Sequence, residues 1–169
     1  MDITIRIRCI QELDLEPIKF KLVHDDDGSK WTIADADRVE VEYKRFLELN
    51  LKNRTDKRVQ SVVPTREVDQ FWHAHILDTM KYEADCEFCL GFFLHHFPYL
   101  GLRGAEDAQL LQDQFRESVA YYQAEFGESL TTKELAADCD GSECAPEPSC
   151  SGEPDPTIVT RERPVLARA

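Results

Sequence analysis

From Leu13 to Phe126 the apolar positions recur every three or four residues, the period of helices that each bury one side. Leu15, Ile18, Leu22 and Val23 predict a first helix, with Pro17 tolerated in its opening turn. A longer helix is expected from about Ala34 to Leu51, striped by Val39, Val41, Tyr43, Phe46, Leu47 and Leu51 and closed by Asn53 to Asp56. Pro64-Thr65 opens the next, with Thr65 as N-cap and Glu67 near the positive end of the helix dipole; it runs on to about Gly91. The last spans Ala105 to Phe126, with Leu110, Leu111, Phe115, Val119, Tyr122 and Phe126 as its core face and Gly127 as its stop. At the N-terminus Ile3, Ile5 and Ile7 alternate with Thr4 and Arg6, the period of a strand or extended arm. Asp25 to Ser29 reads as a turn, since the spaced oxygen ligands and closing glutamate of a calcium loop are missing. The expected fold is therefore mainly α: a compact array of four to five helices with a short extended N-terminal segment.

Beyond Ala136 the pattern stops. Five of the eight prolines (Pro146, Pro148, Pro154, Pro156 and Pro164) fall there among acidic residues, Ser and Gly. Such a stretch buries too little apolar area to offset its ordering entropy, so residues 1–136 are read as one helical domain and 137–169 as a disordered acidic tail. Composition narrows the function classes. A hydrophobic share of 42% supports a real core, and a net charge of −13 with no basic block argues against nucleic acid and anionic membranes. No stretch reaches the ~18 apolar residues of a membrane span. The opening MDITIRIRCI has no apolar signal-peptide centre, which predicts a cytoplasmic protein whose six cysteines are thiols or metal ligands rather than disulfides. The acidic tail is the segment expected to face any protein partner.

Candidate chemistry is concentrated between Val68 and His96, which holds four of the five histidines. Successive helical residues turn by about 100°, so His73 and His75 point to opposite sides and cannot chelate one ion from a regular helix. Asp69 and His73, by contrast, are i,i+4 neighbours, and the carboxylate can orient the imidazole. His75, Thr79, Tyr82 and Cys86 form a second stripe, with Trp72, Ile76, Leu77 and Met80 at the apolar positions between. His95 and His96 lie beyond Gly91 and can fold back on either side.

Three readings of the histidines compete. In the first they are core residues, with Asp69–His73 a buried pair and His75 and His96 satisfying backbone carbonyls. A second reading has them hold zinc or iron between the helix and the His95-His96 turn. In a third they work as acid and base without a metal. Cys86-Glu-Phe-Cys89 has the form of half a zinc knuckle, but no second pair follows in the folded part, and Cys89 sits in an apolar run with Phe88, Leu90 and Phe92.

Val68-Asp69, Phe71-Trp72-His73-Ala74-His75, Tyr82, Asp85-Cys86, Gly91 and His95-His96-Phe97-Pro98-Tyr99 together resemble the signature of the glycine-rich domain-containing protein-like family. The resemblance is good from Pro64 to Leu102 and looser over Trp31–Asn50 and Tyr122–Gly127. It implies a mostly helical domain followed by a low-complexity tail, and no assigned reaction. The positions that match are Asp69, Trp72, His73, His75, Tyr82, Cys86, Gly91 and His96. The chain departs at Cys89 and in its tail, where Cys139, Cys144 and Cys150 lie in an acidic, proline-rich setting rather than a glycine-rich one.

The expectation is thus a cytoplasmic helical domain binding one transition metal, zinc or iron, at a cluster drawn from Asp69, His73, His75, His95 and His96. His73 and one of His95 or His96 are expected to ligate, with Asp69 behind them. His75 is either a third ligand across a helix distortion or a structural hydrogen bonder. Cys86 lies about 16 Å along the axis from His75 and is expected beneath the turn instead. Two further functions stay open: a non-enzymatic interaction module with structural histidines, and a metal-dependent hydrolase or iron(II) oxygenase.

Overall fold

The computed structural model describes residues 1–24, 31–128 and 130. The Asp25–Ser29 turn and the tail from residue 137 lie outside them. The described residues form six α-helices and one π-helical turn, with no strand among them: α1 (Ile3–Gln11), α2 (Glu16–His24), α3 (Ile33–Asp56), α4 (Arg66–Leu77), α5 (Thr79–Asp85), the π turn (Cys86–Leu90) and α6 (Ala105–Phe126).

Two differences from the expected pattern matter. The N-terminal isoleucines do not form an extended arm. Asp2 caps a helix there, accepting from the Thr4 N–H at 2.8 Å, and Ile10 is buried while Ile3 and Ile5 face solvent. An isolated strand beside helices would leave its backbone groups unpaired, whereas α1 satisfies them internally and packs Ile7 and Ile10 on α3 and the π turn. The second difference is that the histidine helix is not continuous to Gly91. Asp78 (φ −85°, ψ 73°) leaves the helical region, donates its N–H to the His75 carbonyl and accepts from the Lys81 N–H, so it ends α4 and caps α5. Its short acidic side chain suits a cap better than a helix interior. Leu77 and Met80, expected to be apolar contacts, are turned out by this break to 69% and 84% exposure.

The core is built around the central, 24-residue α3. Thr32 and Asp35 form a reciprocal capping box at its start, and Lys57 ends it in the left-handed region. Val39, Tyr43, Phe46 and Leu47 face inward as expected, but Val41 is exposed and Leu49 takes a buried place instead. Onto this stripe α4 packs Val68, Phe71, Trp72 and His75, with Phe71 5.0 Å from the Tyr43 ring and Trp72 5.0 Å from Phe46. α2, with Ile18 and Leu22 buried, packs against both α3 and α4. α6 ends at Gly127 as its sequence predicted, and is tied to α3 and the loop after it by Arg45–Tyr122, Lys52–Glu125 and Arg58–Glu125 contacts of 2.6 to 2.8 Å. At its start Asp107, fully buried, accepts from the backbone N–H groups of Gly101 and Arg103 and from the Arg103 guanidinium. That one carboxylate folds the loop after His96 onto the body of the protein. No helix among the described residues is long and apolar enough to cross a membrane.

Candidate metal centre

α4 presents two imidazoles to two different environments. His75 is buried (1% exposed) on the side facing α3. Its Nδ1 lies 2.8 Å from the Tyr43 hydroxyl and its Nε2 2.9 Å from Asp85 Oδ2. One proton arrangement satisfies every partner: the Tyr43 hydroxyl donates to Nδ1, and Nε2–H donates to the carboxylate. Burial pushes the Tyr43 phenol well above its ordinary value, which keeps it a donor. Burial works against the Asp85 carboxylate, but hydrogen bonds from His75 and Lys81 outweigh it and hold that group below the usual range. His75 therefore satisfies side chains rather than backbone carbonyls, and its ring nitrogens are both engaged away from any metal group. Neither Tyr43 nor Asp85 stands at helical spacing from it. Tyr43 comes from another helix, and Asp85 reaches back only because the chain bends at Asp78.

On the opposite, solvent-facing side, Asp69 and His73 share one stripe of α4, and the loop after the π turn brings His96 over them. His96 Nε2 lies 3.0 Å from His73 Nε2 and 3.0 Å from Asp69 Oδ1, while His73 Nε2 is 3.5 Å from Asp69 Oδ2. One ligand atom from each residue falls within 4.8 Å of the others, the arrangement that can hold a metal ion. Side-chain exposures of 50% for His73, 34% for Asp69 and 18% for His96 leave the group open on one face. The reading of His96 as a core residue bonded to a backbone carbonyl does not match its contacts: it meets a carboxylate and another imidazole. His95, in contrast, is exposed and lies against Phe93, rings tilted with centroids 4.8 Å apart, outside the group.

The loop is held from beneath. Gly91 ends the π turn at φ +76°, its N–H reaching the carbonyls of Cys86 and Glu87. The Tyr82 hydroxyl donates to the Leu94 carbonyl and accepts from the Trp72 indole N–H at 2.9 Å. The Trp72 ring in turn lies against His96, with centroids 4.6 Å apart and the planes tilted by 51°. Cys86, 3% exposed, sits under the turn, where its distance from His75 along the chain predicted it. Burial raises its thiol pKa, and the Leu94 backbone amide and Tyr82 hydroxyl pull it partly back. Cys89 is 2% exposed, and burial drives its thiol up to about 12, the behaviour of a core residue rather than a ligand.

Residues 5–133 match the model of the UCP032817-like family, and the chain belongs to that family. No curated protein and no solved structure matches the chain.

Proposed function

We propose that Asp69, His73 and His96 bind one divalent transition metal, iron(II) or zinc, and that this is the working site of the domain. The observation that carries the reading is the spacing of the three ligand atoms. Metal–nitrogen and metal–oxygen bonds of about 2.1 Å place neighbouring ligand atoms about 3.0 Å apart at right angles and about 3.4 Å apart at the tetrahedral angle. Here the two imidazole nitrogens are 3.0 Å apart, and they approach the Asp69 carboxylate at 3.0 Å (His96, to Oδ1) and 3.5 Å (His73, to Oδ2). The donor chemistry fits as well. Two imidazole nitrogens face each other beside a carboxylate, so their lone pairs converge on one point that only a proton or a cation relieves. Two histidines and one carboxylate on one side of an ion, with the other side open to water, are the set used by iron(II) oxygenases and by zinc hydrolases. When bound, the ion would supply Lewis acidity or redox chemistry there; Asp69 and His73 would hold it from α4 and His96 would close over it. Cys9, Cys86 and Cys89 are free thiols among the described residues, which suits a cytoplasmic setting. Asp69, His73 and His96 are also among the residues that carry the resemblance to the glycine-rich domain-containing proteins.

The test is elemental analysis of protein purified without an affinity tag, together with titration of the metal-free protein by iron(II) and zinc. Close to one equivalent should bind, and His73→Ala and His96→Ala should each lose that stoichiometric uptake, keeping at most weak binding, while Cys86→Ala still takes up metal. Wild-type protein that binds neither ion would refute the site and leave the three side chains as a surface hydrogen-bonded cluster.

A further inference from the structure

The geometry points to Tyr82 as the positioning residue of this metal centre, acting through Leu94 and Trp72 to set the ring of His96 before any ion arrives. The inference rests on the metal reading above. Asp69 and His73 are rigid by construction, since both stand on α4. His96 stands on a loop with no helix or strand of its own between Gly91 and Ala105. Left free, such a loop would have to be ordered by the metal, and the ordering entropy would be subtracted from affinity.

One hydroxyl removes that freedom from two directions. As a donor it holds the Leu94 carbonyl, two residues before His96, and so fixes where the backbone turns. As an acceptor it takes the Trp72 indole N–H at 2.9 Å and so fixes the ring against which His96 lies, tilted by 51° with centroids 4.6 Å apart. Tyr82 itself is 2% exposed and cannot swing away, and its ring is braced by His75 at 5.0 Å and Phe93 at 5.2 Å. The buried His75–Asp85 pair on the far side of α4 thus has a part in the site without touching it: it holds the wall against which Tyr82 stands. Outer residues that orient a ligand in this way commonly change metal affinity by about 10–100-fold when they are removed.

The experiment compares metal-free wild type, Tyr82→Phe, His96→Ala and the double variant. Iron(II) and zinc dissociation constants are measured by chelator competition at a temperature where each protein is fully folded. Tyr82→Phe should weaken binding by about 10-fold or more with unchanged stoichiometry. In the His96→Ala background the same change should have no further effect on whatever weak binding remains, because its path to the metal runs through His96. A merely structural Tyr82 would lower the melting temperature while leaving the affinity of the folded protein where it was, and that result overturns the proposal. An equal effect with and without His96 overturns it too. Should Tyr82→Phe fail to fold, Trp72→Phe, which keeps an aromatic ring under His96 but loses the indole N–H, carries the same comparison. Wild type that takes up no metal sinks the centre itself, whereas wild type that binds and a Tyr82→Phe protein that binds equally well sink only the positioning role.

Discussion

Replacing Trp72 by alanine tests the core and the site's support at once. The side chain is 6% exposed and lies between Phe46 at 5.0 Å and His96 at 4.6 Å, with its N–H given to Tyr82. An aromatic of this size buries about 200 Å² of largely apolar surface, worth about 5 kcal/mol at about 25 cal/mol per Å². The lost hydrogen bond adds about 1 kcal/mol, while a compact denatured state and partial collapse around the cavity take back a comparable or larger amount. The net expectation is a loss of about 3–5 kcal/mol, a large part of the stability of an ordinary domain. At about 2–4 °C per kcal/mol the melting temperature should fall by about 6–20 °C. Urea unfolding followed by far-ultraviolet circular dichroism measures it, and the remaining Trp31 reports the same transition by fluorescence. A loss under about 1 kcal/mol with an unchanged m-value would mean that the ring is not packed as described, and the path from Tyr82 to His96 would fall with it.

The two histidines of α4 should separate cleanly. His75→Ala leaves the Tyr43 hydroxyl and the Asp85 carboxylate without their partner and should lower stability by about 2–4 kcal/mol, while one equivalent of metal still binds. His73→Ala should change stability by less than about 1 kcal/mol and lose the metal; denaturation and elemental analysis on the same preparations decide both. Burial opposes the Asp107 charge, but the Arg103 side chain and the backbone amides of Arg103 and Gly101 prevail and lower its pKa. A carboxyl depressed in the folded state stabilises above its unfolded value near pH 4, and the contribution disappears as pH falls through the folded value. Urea midpoints should therefore drop below about pH 4 in the wild type, and Asp107→Asn should start less stable at pH 7 and show a shallower decline. With its thiol up at about 12 and its surface covered, Cys89 should resist iodoacetamide at pH 8 in the native protein and react once urea unfolds it, as read by peptide mass spectrometry. Rapid native labelling at Cys89 would show that the π turn opens.

What was readable in the sequence was local. Ala105 to Phe126 has a clear period and a glycine at its end, and Thr65 marks the start of α4 with a side chain that bonds the Val68 N–H. The 100° turn per residue was enough to place His73 and His75 on opposite faces. What failed depended on competition or distance. Three alternating isoleucines look like a strand until the Asp2 cap and the single buried Ile10 are weighed against them. Asp78 carried a capping signal, but the apolar Leu77 and Met80 around it read as a continuing helix. Between His95 and His96 no periodicity could choose, because both lie on a loop whose course is set by Tyr82 and Asp107 from other parts of the chain. Tyr43 looked like one more apolar position in a stripe, since nothing in its neighbourhood shows the imidazole it meets from another helix.

The π turn at Cys86–Leu90 is one residue longer than a regular helical turn reaching the same endpoint. Deleting one residue there, Phe88 for instance, which is 63% exposed, would let the backbone relax into ordinary α-helical bonds. Because the wider turn already reaches the endpoint of a regular one, the residues beyond it would keep their place, and His96 would stay over Asp69 and His73. A relative one residue shorter in the π turn should therefore fold as this chain does and keep its cluster. Deleting a residue from the regular turns of α5 instead would rotate everything beyond by about 100° and carry His96 away from its partners.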